Sequence, residues 1–274
     1  MTTTADATST DATSTDQIIA TKEGGIGWLI FNNPARLNAV SLEMSQAAAN
    51  VVRDFERDPE VRVIILRGGG EKAFISGGDI SKFAGQRSTP ADRANYEKIS
   101  EGSREILYRC EKPTIAMIRG YCLGGGMAWA LQCDLRICSD NSRFGIPAAK
   151  LSIGYAARGI KQLIDLVGPS AAKEVLYTAK QYNAAEALAM GLVNQVVPAA
   201  ELESFTRSYA EVIANNAPLA ILNAKTAINE LVKDPDQRDM ALVARRADAA
   251  TGSQDHIEGR KAFLEKRKPV FTGK

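Results

Sequence analysis

AFISGGDI at residues 73–80 and GYCLGGG at residues 120–126 are the two stretches that dominate this sequence. Each places glycines at a turn that opens toward a helix. Glycine lacks a Cβ atom, so a ligand can approach the main chain closely, and the first N–H groups of a helix have no partner within it. Both stretches therefore predict backbone donors that stabilise a developing negative charge. A tight strand-to-helix turn, close packing or phosphate binding would use the same glycines.

Length and charge narrow the classes of protein. The chain has 274 residues, of which 45% are hydrophobic and 24% charged, as in ordinary globular domains. With 34 Lys+Arg and 32 Asp+Glu the net charge is +2, which is too small to attract nucleic acid. The longest apolar runs are only as long as a strand, so no membrane-spanning segment is expected. Together with the small net charge, this predicts neither a membrane nor a nucleic-acid partner.

The cysteines and the first residues carry no readable site. Four cysteines are scattered without a CxxC pattern, which predicts small buried side chains in a reducing cytoplasm and no metal site. Residues 1–16, MTTTADATSTDATSTD, contain no aromatic or basic residue. We expect a disordered leader there rather than a targeting peptide.

Strand and helix patterns alternate from residue 17 to residue 199. Strands are predicted at residues 26–31, 61–67, 113–119 and 134–139. Helices are predicted from Ser41 onward, at 91–110 and from 124 to 132. After residues 192–197 only helical patterns follow, at 200–216, 218–233, 237–251 and 255–266. This order predicts an α/β core with a partly parallel, layered sheet at 17–199 and a helical C-terminal region at 200–274.

Four further motifs accompany the glycine stretches. They are NPARLNA at 33–39, FGIP at 144–147, AEALAMGLVN at 185–194 and EGRKAFLEKRKPVF at 258–271. As a set, they resemble the crotonase superfamily, also called the enoyl-CoA hydratase/isomerase family, over nearly the whole chain. The resemblance implies an α/β spiral of repeated ββα units whose helical C-terminal region builds homotrimers, often paired as dimers of trimers.

The resemblance also implies a substrate and its binding residues. The family binds acyl-CoA thioesters and polarises the thioester carbonyl with two backbone N–H groups, which match Gly78 and Gly125 here. Coenzyme A enters as the carrier part of the substrate, and no tightly bound cofactor is expected. The residues expected along the CoA are Ala35, Arg36, Ser76, Asp79 and Ile80. Lys266 would reach the CoA phosphates on a neighbouring subunit.

Two positions depart from the hydratase pattern. Hydratases that this chain resembles use one glutamate after the glycine triplet and another after the Phe-Gly-x-Pro turn, and these positions are Ala128 and Ala148 here. A methyl group transfers no proton, whereas a positioned acid or base contributes roughly 10²–10⁴-fold. His256, the only histidine, lies in the last predicted helix without an acid or nucleophile partner, so no role is assigned to it.

Tyr155 is the candidate for the missing proton-handling group. It follows the FGIP turn and resembles the tyrosine of methylmalonyl-CoA decarboxylase-type members, although the ring could simply cap the pocket wall. Loss of CO₂ itself produces a thioester enolate, so decarboxylation needs no base. A malonyl-type substrate carries a second carboxylate, and arginines that could offset its charge are Arg87, Arg93 and Arg158.

The sequence does not fix which face of the predicted helix at 91–110 turns toward the pocket. Tyr96 and Ser100 are spaced i, i+4 and could direct hydroxyls into the pocket, or they could be ordinary residues of an amphipathic helix. Glu97 and Glu101 have the same spacing and could supply a carboxylate if that face turns inward. The sequence alone does not decide between the two faces.

Together these features predict an acyl-CoA enzyme, with a decarboxylase-type or atypical hydratase lyase step placed first. Isomerisation and thioester hydrolysis rank lower because both normally use a carboxylate base. A non-catalytic CoA-thioester-binding protein is the alternative from another class.

Overall fold

The computed structural model describes residues 16–79 and 88–274. The predicted leader, apart from Asp16, lies outside the described residues, as do Ile80 and Arg87. The strands are β1 Ile18–Glu23, β2 Ile26–Phe31, β3 Val63–Gly68, β4 Ala73–Ile75, β5 Thr114–Ile118, β6 Tyr121–Leu123, β7 Leu135–Ser139, β8 Arg143–Gly145, β9 Tyr182–Asn183 and β10 Gln195–Val197.

A six-stranded sheet forms the larger layer, in the order β1-β2-β3-β5-β7-β10. Only the β1–β2 pair is antiparallel, and the other strands run parallel to their neighbours. Helices cover parallel sheets on both faces, so their strands are continuously apolar. This explains why β3 and β5 could be located from sequence, whereas β1, whose residues are mostly half-buried or exposed, was missed.

A smaller sheet has the order β4-β6-β8-β9, with the first three strands parallel. Each of β3, β5 and β7 is followed along the chain by a strand of this second sheet. The chain therefore winds between two sheets as a spiral of ββ units and helices, and the predicted fold class is confirmed. The sequence patterns missed the small sheet because strands of two or three residues are too short to show a periodicity.

The helices connect and cover these sheets. They are α1 Leu42–Arg57, α2 Pro90–Arg109, α3 Gly125–Ala130, α4 Ala157–Thr178, α5 Ala184–Ala189, α6 Leu202–Ala214, α7 Pro218–Leu231, α8 Met240–Thr251 and α9 Gln254–Leu264. Ser41 caps α1 by accepting a hydrogen bond from the Met44 N–H at 3.2 Å, as its position before an apolar pattern predicts. The sequence patterns did not predict α4, which is kinked at Gly168 and Pro169.

Aromatic packing joins the sheets to the site. The Phe31 ring of β2 meets the Trp129 ring of α3 edge-on, with ring centroids 5.1 Å apart. It also contacts Phe74 of β4 at 6.4 Å. All three rings are buried, so α3 and the end of β4 are held against the large sheet.

Two further observations concern the described residues as a whole. All four cysteines are buried and free, as predicted. Within 16–79 and 88–274, no helix is both long and apolar enough to cross a bilayer. The division at residue 200 stays a prediction, although every element after β10 in these ranges is helical.

Candidate active site

Three neighbouring strands of the small sheet end at one cavity of about 370 Å³. Gly78 follows β4, Gly125 follows β6, and Ala148 follows β8, and all three line the cavity. Because β4, β6 and β8 are parallel, their carboxyl ends meet at the same edge of the sheet. Ligands of α/β proteins commonly bind at such an edge.

The backbones of Gly78 and Gly125 are in close contact. A methyl group built on Gly125 would lie 3.0 Å from the backbone nitrogen of Gly78. The parallel bridge to Val40 uses the Gly77 carbonyl and the Asp79 N–H, both at 2.9 Å, so the N–H of Gly78 points to the opposite side. Gly125 is the first residue of α3, and neither glycine N–H donates to an acceptor among the described residues.

The adjacent glycines make this contact possible. A Cβ atom on Gly126 would lie 2.0 Å from the carbonyl oxygen of Ile75, which no side chain can tolerate. Gly77 has φ +140°, a conformation that residues with a Cβ rarely adopt. Close packing and free donors are thus two uses of the same glycine clusters, and the sequence alternatives were not exclusive.

The NPARLNA motif anchors the loop that carries Gly78. Asn38 is fully buried in a left-handed conformation with φ 57°. Its Nδ2 donates to the carbonyls of Gly69 at 2.9 Å and Ala73 at 2.8 Å, and its Oδ1 accepts from the Asn33 N–H at 2.9 Å. The turn is thereby fixed to the start of β4.

The residues predicted along the CoA lie beside this loop. Arg36 Nη1 is 3.1 Å from Asp79 Oδ2, and Asp79 is buried while the Arg36 side chain is 57% exposed. Ser76 Oγ donates to the Arg36 carbonyl at 3.4 Å. Ala35 is exposed in the same turn. These four residues form one surface next to Gly78, whereas Ile80 lies outside the described residues.

Tyr155 lines the same cavity as the two glycine amides. Its ring is partly buried against Gly159, and its hydroxyl oxygen is fully buried without a hydrogen-bond partner in the described part of the chain. Burial raises the pKa of Tyr155 to about 12, while the positive charge of Arg104 opposes that shift. The hydroxyl is therefore a protonated donor at neutral pH and not a base.

Ala128 and Ala148 also line the cavity, so no carboxylate stands at either position. The cavity is also lined by Gln132 and Gln162, whose side-chain amides donate to each other, with Nε2–Oε1 distances of 2.6 and 2.7 Å. These residues of the lining therefore present two methyl groups and two amides that are hydrogen-bonded to each other.

The structure decides the orientation of α2 that the sequence left open. Both predicted pairs, Tyr96 with Ser100 and Glu97 with Glu101, line the cavity. Tyr96 and Ser100 are each only 7% exposed, whereas Glu97 is exposed and Glu101 half-buried. The inward face of α2 is thus broader than one pair, with hydroxyls deep and carboxylates near the rim.

Arg104, which the sequence interpretation did not name, is a cation on the inward face of α2. Its Nη1 donates to Ser100 Oγ at 2.6 Å, and it lines the cavity. The signal was available in the sequence, because Arg104 lies one helical turn beyond Ser100 on the same face.

The three arginines that the sequence proposed fit the role of counter-charge less well. Arg158 lines the cavity but is paired with Glu105 at 3.0 Å and lies over the Tyr108 ring at 5.1 Å. Arg93 is exposed and does not line the cavity, and Arg87 is outside the described residues.

Two other residues considered from sequence lie away from the cavity. Lys266 follows α9 with φ 53° and is exposed, and within one chain it is not among the cavity residues. His256 is exposed on α9 and is likewise absent from the lining. Neither residue contacts the glycine amides within this subunit.

The two-layer spiral defines a crotonase-type fold. The sequence pattern of the enoyl-CoA hydratase/isomerase family matches residues 21–274, and the chain belongs to this family.

Similar proteins share most of the chain. A short-chain-enoyl-CoA hydratase from Clostridium acetobutylicum is 35% identical over 92% of this chain and 96% of its own. A carnitinyl-CoA dehydratase from Salmonella paratyphi A is 34% identical over 93% of this chain and 97% of its own. The crystal structure of an enoyl-CoA hydratase/carnithine racemase from Magnetospirillum magneticum superposes with a TM-score of 0.91 at 34% identity, covering 95% of this chain and 97% of that one.

Proposed function

We propose that this chain is an acyl-CoA enzyme that stabilises a thioester enolate with the backbone N–H groups of Gly78 and Gly125. The observation that carries the proposal is that the backbones of these two glycines are in close contact at one cavity, and that neither N–H has an acceptor among the described residues. A thioester enolate is too unstable to form freely in water. Fixed donors aimed at its oxygen lower much of the free-energy barrier to its formation. Removing one such donor typically lowers the rate by roughly 10²–10³.

The step that we propose is a lyase reaction of the decarboxylase type. The bond between the α-carbon and the carboxylate carbon of a malonyl-type thioester breaks, CO₂ leaves, and the electron pair becomes the enolate held by the two amides. No protein base is needed, which agrees with alanine at positions 128 and 148. A proton then returns to the α-carbon.

Tyr155 is the proposed source of that proton. Tyr155 lines the cavity, its hydroxyl is buried with no partner in the part of the chain that the structure describes, and burial raises its pKa to about 12. A phenol with that pKa is still a much stronger acid than the α-C–H group of a thioester, so the transfer to carbon is downhill. Water afterwards restores the phenol proton. Tyr155 therefore acts as a general acid in this scheme.

The CoA carrier would lie along the surface of Ala35, Arg36, Ser76 and Asp79, with Ile80 next in the chain. Because no further cofactor is needed for decarboxylation, CoA is the only group that the scheme requires. The named relatives are a CoA-ester hydratase and a dehydratase, which supports an acyl-CoA substrate.

We also propose a homotrimer or a dimer of trimers, located in the cytoplasm. The exposed apolar side chains of the C-terminal region support assembly, since Phe263 is 83%, Leu264 79% and Val270 72% exposed in the single chain. In such an assembly, Lys266 of a neighbouring subunit would contact the CoA phosphates. The four free, buried cysteines support a reducing compartment.

An atypical hydratase is the second candidate, because α2 brings Glu97 and Glu101 to the cavity rim. Either carboxylate could position water for addition to an enoyl thioester, in place of the residues missing at 128 and 148. Isomerisation and hydrolysis would need the same carboxylates.

Separate incubations with methylmalonyl-CoA and crotonyl-CoA, followed by mass spectrometry, test the proposal. We expect propionyl-CoA and CO₂ from the first ester and little change in the second. Hydration of crotonyl-CoA without loss of CO₂ would favour the second candidate, and release of free CoA would indicate a hydrolase. Tight binding of both esters without conversion would identify a non-catalytic CoA-thioester-binding protein.

A further inference from the structure

The cavity contains a cation without a carboxylate partner. Arg104 is half-buried in α2, and among the described residues no carboxylate lies at ion-pair distance from its guanidinium group. Its hydrogen-bond partner is the neutral Ser100 hydroxyl. Burial lowers the pKa of Arg104, while Tyr155, Glu101 and Tyr96 oppose that shift. Arginine nevertheless remains charged, so an unmatched positive charge is present inside a ligand-sized cavity.

A second polar side chain of the same cavity is also unpaired among the described residues. The Tyr155 hydroxyl is buried and has no hydrogen-bond partner in the described ranges 16–79 and 88–274, and the positive charge of Arg104 acts on it. Buried polar groups are nearly always hydrogen-bonded, so a donor without a partner and an unmatched cation in one cavity together indicate that the ligand supplies the acceptor. A carboxylate is the acceptor whose charge and geometry satisfy an arginine and a hydroxyl together.

The cavity has room for that carboxylate on the ligand. Ala128 and Ala148 line the same space as Arg104, and both end in a methyl group. One cavity is thus lined by a cation, a hydroxyl-bearing side chain and the two glycines, and positions 128 and 148 contribute no carboxylate to it.

We propose that Arg104, together with the Tyr155 hydroxyl, binds a free carboxylate on the acyl chain of the CoA thioester. The substrate class is therefore a carboxyacyl-CoA rather than a simple enoyl-CoA or alkanoyl-CoA. This inference rests on the proposed function, because it requires the thioester carbonyl to lie at Gly78 and Gly125.

Other charges on α2 modulate this site without cancelling it. Glu105 is held by Arg158 at 3.0 Å and by Arg109 at 2.6 Å, and these contacts lower its pKa. Glu101 is half-buried, attracts Arg104 at longer range, and would repel a bound carboxylate. Neutralising Glu101 should therefore strengthen carboxylate binding, whereas neutralising Arg104 should weaken it.

Arg104 is a binding residue, so its effect should appear in KM. In decarboxylation the carboxylate leaves as neutral CO₂, and the attraction to arginine is lost on the way to the transition state. An interaction that favours the ground state lowers KM without raising kcat. Arg104→Gln should therefore raise KM about 10- to 100-fold for a malonyl-type thioester and leave kcat equal or higher.

Binding of matched thioester pairs tests the inference independently of turnover. Succinyl-CoA and glutaryl-CoA carry a carboxylate that is not on the α-carbon, so they cannot lose CO₂ to give a thioester enolate. Their matches, butyryl-CoA and valeryl-CoA, end in a methyl group instead. Malonyl-CoA against propionyl-CoA completes the series, with mass spectrometry following any conversion. Affinities are measured by calorimetry on wild type, Arg104→Gln, Glu101→Gln and Arg158→Gln.

We expect at least one carboxylated ester to bind more tightly than its match in the wild type. Arg104→Gln should remove that preference, reducing affinity for the carboxylated ester about 10- to 100-fold and for its match less than threefold. Glu101→Gln should enhance the preference, and Arg158→Gln should change it least. No preference at any chain length, or equal weakening of both partners of a pair, would overturn the inference.

The two proposals fail in different ways. A carboxylate preference that depends on Arg104, without loss of CO₂ from malonyl-CoA or methylmalonyl-CoA, keeps the binding site and removes the lyase step. Decarboxylation with an unchanged KM in Arg104→Gln keeps the lyase step and removes the binding site. A thermal unfolding curve for each variant checks that the fold is retained.

Discussion

The backbone nitrogen of Gly78 lies so close to the α-carbon of Gly125 that a methyl group on Gly125 would be 3.0 Å from it. The two residues follow neighbouring parallel strands of the small sheet, and no backbone acceptor among the described residues takes either N–H. The proposed chemistry, in which one carbonyl oxygen accepts from both N–H groups, depends on this close contact.

Gly125→Ala tests that relation directly. The added methyl group would lie 3.0 Å from the Gly78 nitrogen and 3.1 Å from the Gly77 carbonyl carbon, so the Gly78 amide must shift and kcat/KM should fall by roughly 10²–10³. Steady-state turnover of methylmalonyl-CoA measures the effect. Gly102→Ala in α2 is the matched control, because nothing lies within 4 Å of its added methyl group. A Gly125→Ala enzyme within threefold of wild type would contradict the role of these amides.

Tyr155→Phe should lower the rate of the chemical step by roughly 10²–10⁴ if its hydroxyl supplies the proton. The folded state should not lose stability, because that hydroxyl has no partner among the described residues. Single-turnover kinetics and thermal unfolding measure the two quantities. An unchanged rate would remove Tyr155 from the mechanism.

Gly159→Ala displaces the same ring without removing its hydroxyl. An added methyl group would lie 2.9 Å from Tyr155 Cε1, so the ring must move. We expect a rate between those of wild type and Tyr155→Phe, and little further loss when both substitutions are combined. Additive losses in the double variant, measured by the same kinetics, would show that Gly159 acts through another contact.

The pH dependence follows from the protonated state of Tyr155. Burial raises its pKa to about 12, so between about pH 6 and pH 9 the general acid stays protonated and its contribution to kcat should be constant. In the unfolded chain tyrosine loses its proton near pH 10. The associated stability is thus complete below about pH 10 and is lost as pH rises toward 12. A kcat profile that falls between pH 7 and pH 9 would contradict this assignment.

Asn38 should be a large determinant of stability. Asn38→Ala leaves the carbonyls of Gly69 and Ala73 and the Asn33 N–H without their partner, and alanine tolerates the left-handed φ of 57° less well than asparagine. We expect a loss of roughly 3–5 kcal/mol in the free energy of unfolding, measured in urea. Asn38→Gly removes the same bonds but tolerates this φ, so it should be about 1 kcal/mol less damaging. Equal losses would show that the backbone conformation adds no cost.

Sedimentation should show a trimer or a hexamer that depends on the C-terminal surface. Phe263→Ser should shift the protein toward monomers, because that ring is 83% exposed in the single chain. Tyr177→Ser is the control, since Tyr177 is 74% exposed on α4. A monomeric wild type, or an unchanged assembly in Phe263→Ser, would contradict the proposed oligomer.

Sequence patterns predicted the long elements and part of the site. The continuous apolar run of β3 and the cap at Ser41 are local signals, because burial on both faces and helix capping each select residue types within a few positions. The glycine clusters are also signals that can be recognised within a few positions of the sequence. Gly78, Gly125 and Tyr155 were therefore candidates before their positions in the fold were known.

Sequence patterns could not predict the small sheet or which face of α2 turns toward the cavity. Strands of two or three residues have no measurable periodicity, and their pairing joins residues far apart in the chain. An amphipathic helix with several polar faces has more than one possible orientation. Only packing against α1 and the cavity selected the face that carries Ser100 and Arg104.

The sequence by itself determined the family, the candidate glycine donors and the alanines at positions 128 and 148, because these depend on residue type and spacing. The tertiary structure decided which charges face the cavity and which are already paired. Arg104 is exceptional because of what surrounds it: Ser100 is its neutral partner, and Glu105 binds Arg158 instead. Whether a charge is matched depends on distances across the fold, and a linear chain does not specify those distances.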